Sequence, residues 1–77
     1  MTDFKMTDME KGLFLKYANV DFNKIKNPQI SSEMLKDFCN ACLEKSTDYF
    51  VTAALKSIRK RIPPMGERLV IKGEKDE

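Results

Sequence analysis

Thirty-two consecutive residues, 31–62, contain neither glycine nor proline. Those two residue types are the strongest helix breakers, so nothing local interrupts a helix across this run. Its apolar residues nevertheless do not share one face. At about 100° per residue, Met34, Leu35, Phe38, Cys39 and Cys42 cluster on one side, and Val51, Leu55, Ile58 and Ile62 point roughly the opposite way. A straight helix would hold a core with one stripe and leave the other for a partner, which implies an oligomer. Two helices with a bend between them turn both stripes inward. Ser46-Thr47-Asp48 lies where the stripe changes side, and all three residues favour caps over helix interiors. The pattern predicts two helices, about 32–45 and 48–62.

The flanks of the run carry their own signals. Ser31 suits an N-cap, with Ile30 before it and Leu35 placed to close a hydrophobic staple. Pro63-Pro64 ends the last helix. Upstream, Thr7 and Glu10 have capping-box spacing, and Met9, Leu13, Phe14 and Tyr17 follow near one face, which predicts a helix over about 8–19. Gly12 inside it costs about 1 kcal/mol relative to alanine. Residues 19–30 read as a connection with a turn at Asn27-Pro28, and the alternation at Val20-Asp21-Phe22 suits a short strand.

Met65-Gly66-Glu67 reads as a turn, and Arg68-Leu69-Val70-Ile71-Lys72 as a strand. A lone strand leaves its backbone groups unpaired. Its mate must be Val20–Phe22, Asp3–Lys5, a second copy of the chain, or the sheet edge of another protein. The expected fold is therefore mainly α: a small three-helix domain (about 8–19, 32–45 and 48–62) with a short C-terminal strand (68–72). It forms one domain over 1–77, with 73–77 as a charged tail.

A chain of 77 residues that is 42% hydrophobic and 34% charged has enough apolar material for one small core. The start mixes charges and has no apolar stretch of a signal peptide. Its apolar runs are far shorter than the roughly 18 residues of a membrane span. With two cysteines and no such signal, a cytoplasmic location with reduced thiols is expected, or the host cytoplasm for a viral protein. No membrane partner is expected.

Histidine is absent. That removes the commonest general acid–base and every histidine-based triad. No other constellation meets the requirements of an active site, so no enzyme, no small-molecule substrate, no cofactor and no metal are expected. Cys39-Asn40-Ala41-Cys42 is a CxxC, but a redox pair wants its first cysteine at a helix start, and the staple puts that start about seven residues earlier. A zinc site would need two further ligands. The bland reading is a pair of buried structural thiols. Phe4, Met6, Phe14, Tyr17, Phe22, Phe38, Tyr49 and Phe50 are read mostly as core.

Charge is uneven along the chain. Residues 1–48 carry seven lysines and eight acids, whereas residues 49–77 carry seven basic residues and four acids. Lys56, Arg59, Lys60, Arg61, Arg68 and Lys72 fall within 56–72, where Glu67 is the single acid. Basic residues at a helix end also serve the helix dipole and solubility, which is the bland reading of this cluster. No aromatic residue interleaves it, so single-strand stacking is unsupported.

The leading expectation is a non-enzymatic protein-binding or regulatory module, of inhibitor or assembly-factor type. It would act through Val51, Leu55, Ile58, Ile62, Leu69, Val70 and Ile71, with self-association through the same stripe and strand. The alternative is a small nucleic-acid-binding regulator that uses the 56–72 basic cluster.

Overall fold

A computed structural model of the chain describes residues 1–73. The elements run β1 (Thr2–Met6), α1 (Asp8–Ala18), β2 (Gln29–Ser31), α2 (Ser32–Lys45), α3 (Tyr49–Arg61) and β3 (Arg68–Gly73). Three strands form one mixed sheet in the order β1-β3-β2. β1 runs parallel to β3 with Phe4 opposite Ile71, and β2 runs antiparallel to β3 with Ile30 opposite Leu69. The fold is α+β, which corrects the expectation of a mainly α domain with one short strand.

The correction has a physical cause. The C-terminal strand finds both mates inside the chain, so two further segments must be extended. One of them, around Asp3–Lys5, was among the foreseen mates. It alternates as a strand must, with Phe4 and Met6 buried and Asp3 and Lys5 exposed. The second mate is Gln29–Ser31, only three residues long, in which Ser31 both ends β2 and caps α2. A segment so short shows no period of its own. The Pro28 carbonyl prolongs the ladder by accepting the Ile71 N–H at 2.8 Å.

Val20–Phe22 is not a strand. The Asp21 side chain accepts the Asn23 N–H at 2.9 Å and turns the chain there. Phe22 is nevertheless buried, packed edge-to-face on Phe14 with ring centroids 5.3 Å apart. The expected strand 68–72 extends to Gly73, and the rest of the expected charged tail, 74–77, lies outside the described residues.

The helix ends follow side-chain chemistry. Thr7 and Glu10 exchange hydrogen bonds in a complete capping box at 3.0 and 2.9 Å. Asn19 closes α1 in the left-handed region, at φ 56°. Ser31 accepts the Met34 N–H at 3.2 Å to open α2. Ile62 closes α3 with extended backbone, as the residue before a proline is pressed to do. Ser32 then fixes the incoming 63–67 turn, donating its N–H to the Glu67 carbonyl at 2.9 Å and its hydroxyl to the Pro64 carbonyl at 3.0 Å.

One sheet face is covered by the helices. Phe4, Met6, Ile30, Leu69 and Ile71 from the strands join Phe14, Phe22, Leu35, Cys39, Cys42, Leu55 and Ile58 in a single core. Gly12 sits on the exposed side of α1, with open space where a Cβ would stand. Gly12→Ala therefore gains helix propensity without a clash. It should raise stability by about 0.5–1 kcal/mol, read as a melting temperature higher by several degrees.

Candidate functional site

The two helices of the 31–62 run are joined by a three-residue turn, Ser46-Thr47-Asp48, and this turn decides which side of α3 faces out. Asp48 caps α3 by accepting the Phe50 and Val51 N–H groups at 2.8 and 3.2 Å. The Ser46 and Thr52 hydroxyls share a hydrogen bond at 3.1 Å across the same corner. With that register set, Leu55 and Ile58 are fully buried, and Val51 and Ile62 are half-buried against the core.

This placement relocates the surface read from the sequence. Leu55, Ile58, Leu69 and Ile71 belong to the core, where a partner could reach them only by opening the fold. Val51, Ile62 and Val70 are half-buried. β3 is the central strand with a neighbour on each side, so it offers no free edge to another protein. The reason is the inward turn of the stripe: the residues that looked spare are those the sheet and α2 need.

The outward side of α3 is different in kind. Tyr49, Phe50, Ala53, Lys56, Ser57 and Lys60 are exposed. On the helical wheel Tyr49, Ala53, Lys56 and Lys60 lie within about 60° of one another, as one stripe along the helix. No acidic residue occurs from Tyr49 to Gly66. Tyr49 and Phe50 are each 80% exposed, and their rings meet edge-to-face with centroids 5.7 Å apart. Sequence reasoning had counted both among the core aromatics. Their wheel positions, well away from Val51, Leu55, Ile58 and Ile62, were the signal that separates them from it.

The basic cluster divides by role. Arg61 pairs with Glu10 at 2.6 Å and lies 5.6 Å from the centre of the Phe4 ring, so it ties the end of α3 to the start of α1. Lys72 faces Asp3 across the sheet at 3.9 Å. Arg59 donates to the neutral Asn40 amide oxygen at 3.1 Å, which orients its guanidinium without cancelling the charge. Lys56, Lys60 and Arg68 have no hydrogen-bond or ion-pair partner among the described residues. Lys56, Arg59 and Lys60 thus form the uncompensated part of α3, while Arg68 and Lys72 sit on the sheet.

The two cysteines lie on the inward face of α2. Cys39 donates its thiol to the Leu55 carbonyl at 3.2 Å, and both side chains are fully buried. Burial pushes the Cys39 thiol up to about 11, with the neighbouring Cys42 adding to the shift. Burial raises Cys42 too. Both groups are therefore protonated at neutral pH, the opposite of an activated thiolate. Because the folded values are raised, the thiols' contribution to stability is complete below about 9 and is lost as pH climbs toward 11. The native protein should react with a disulfide reagent at pH 8 far more slowly than the urea-unfolded chain; equal rates would place the thiols at the surface.

Among the described residues no three cysteine, aspartate or glutamate side chains converge as a metal-binding set. No helix there is long and apolar enough to cross a membrane. No protein-family model matches the chain, and no curated protein or solved structure matches it.

Proposed function

We propose that the chain is a non-enzymatic nucleic-acid-binding regulatory module that lays the outward face of α3 against a phosphate backbone. The observation that carries this reading is the charge of that face. It bears Lys56 and Lys60, with Arg59 beside them, has no acidic residue, and spends none of these three cations on an ion pair among the described residues. A basic helix side held outward by a capped turn is a physical basis for binding phosphates through counterion release. The competing reading, an apolar protein-binding surface made by the same helix and β3, loses its ground because those side chains are largely core. A cytoplasm-like compartment suits the buried, protonated thiols.

Binding of a labelled oligonucleotide, followed by fluorescence anisotropy from low to moderate salt, tests the proposal. Affinity should fall steeply with salt. Lys56→Ala and Lys60→Ala should each weaken binding and lower the log–log salt slope by about one unit. Both positions are exposed, so neither variant should alter the thermal melt appreciably. Absence of binding at low salt sinks the proposal.

A further inference from the structure

The phosphate contacts leave the Tyr49–Phe50 pair without a role. Neither ring is needed by the core, since each is 80% exposed and the closest aromatic partner each has is the other. Two large apolar rings held in water at one end of a basic stripe are a cost to a solitary domain. They therefore point to a ligand with flat apolar surface next to negative charge.

Nucleic acid has both, but only where bases are unpaired. In a duplex each base face is already stacked on its neighbours, and the grooves show base edges and sugar–phosphate. To use the rings there, the protein would have to unstack a step, at a cost of a few kcal/mol. A single strand offers free base faces without that cost, and stacking on an aromatic side chain contributes about 1–3 kcal/mol per base. The helix supplies the matching geometry. Tyr49 shares a wheel face with Lys56 and Lys60, which stand about 10 and 16 Å further along the axis. In the linear sequence the aromatics precede the basic cluster. On the helix Tyr49 falls in line with Lys56 and Lys60, and Phe50 stands about 100° round the axis from it, its ring against that of Tyr49.

We infer that α3 binds single-stranded nucleic acid, with bases stacked on Tyr49 and Phe50 while Lys56 and Lys60 hold the backbone that follows. This rests on the nucleic-acid reading above and narrows it to a class of ligand. A protein partner fits the face less well, because lysine is depleted at the centre of protein interfaces and here it continues the aromatic stripe.

The test compares one labelled oligonucleotide as a single strand and as a duplex, with the wild-type protein, Tyr49→Ala and Phe50→Ala. The single strand should bind more tightly than the duplex. Each alanine should weaken single-strand binding about fivefold or more, as expected for the loss of a stacked base worth about 1 kcal/mol. The salt slope should not change, because no phosphate contact is lost. A Tyr49→Trp variant provides a direct readout, since its emission should be quenched by the single strand. If the duplex binds at least as tightly and the alanine variants behave as wild type, the single-strand assignment falls and phosphate binding by α3 stands. If neither nucleic acid binds at low salt, both fall.

Discussion

Leu69→Ala should leave little folded protein at 37 °C. Leu69 is completely buried on the central strand, with Thr2 opposite it on β1 and Ile30 opposite it on β2. Truncating a buried leucine costs about 2–5 kcal/mol, from the lost transfer energy and the cavity left behind. Here the cavity would open where three strands meet the helices, and partners held by two ladders cannot easily collapse into it. A domain of 77 residues has a total stability of roughly 4–12 kcal/mol at typical values per residue. The substitution therefore removes a large part of it. Urea unfolding should show a midpoint far below wild type, or no native baseline.

The neighbouring residue provides the control. Val70 points to the other sheet face and is half-buried. Val70→Ala should cost about 1 kcal/mol or less, mostly through β-propensity. If Val70→Ala costs more than Leu69→Ala, β3 presents the opposite face to the core, because a slip of one residue exchanges the two faces.

This pair also shows where sequence reasoning reached its limit. The strand at 68–72 was legible, since Leu69-Val70-Ile71 is apolar with two β-branched residues and lies between a turn and a glycine. Its place in the sheet was not. A continuous apolar run does not reveal which face is covered, and pairing partners lie up to 67 residues away in the chain, as with Thr2 and Leu69. The helices were more legible because their signals are local: a capping box at Thr7, a cap at Ser31, a cap at Asp48 and two prolines after Ile62. The candidate site was half legible. Lys56, Arg59 and Lys60 stood out as charge, but the apolar stripe beside them was assigned to a partner when the chain's own sheet takes it. Tyr49 and Phe50 were read as core because aromatic residues usually are, and only the direction of α3 sets these two apart.

The second large effect is expected at Phe14, and it concerns the connection rather than the sheet. Phe14 is completely buried in α1, and its ring supports that of Phe22 at 5.3 Å. Its carbonyl accepts the Val20 N–H at 3.2 Å, so the same residue anchors the chain as it leaves the helix. Residues 19–28 contain no helix or strand, and Phe22 is the buried side chain within them. Phe14→Ala removes the surface on which Phe22 packs. The expected cost is about 3–5 kcal/mol, and the loss of the aromatic pair falls within it. Hydrogen exchange distinguishes this variant from Leu69→Ala. In conditions where Phe14→Ala is still folded, amides of 20–28 should exchange much faster than in wild type while β3 keeps its protection. Phe14→Leu, which restores apolar bulk without the ring, should recover more than half of the loss. Uniform acceleration across 20–28 and β3 would mean that the connection opens only when the whole domain unfolds, and that Phe22 is not held by Phe14 in particular.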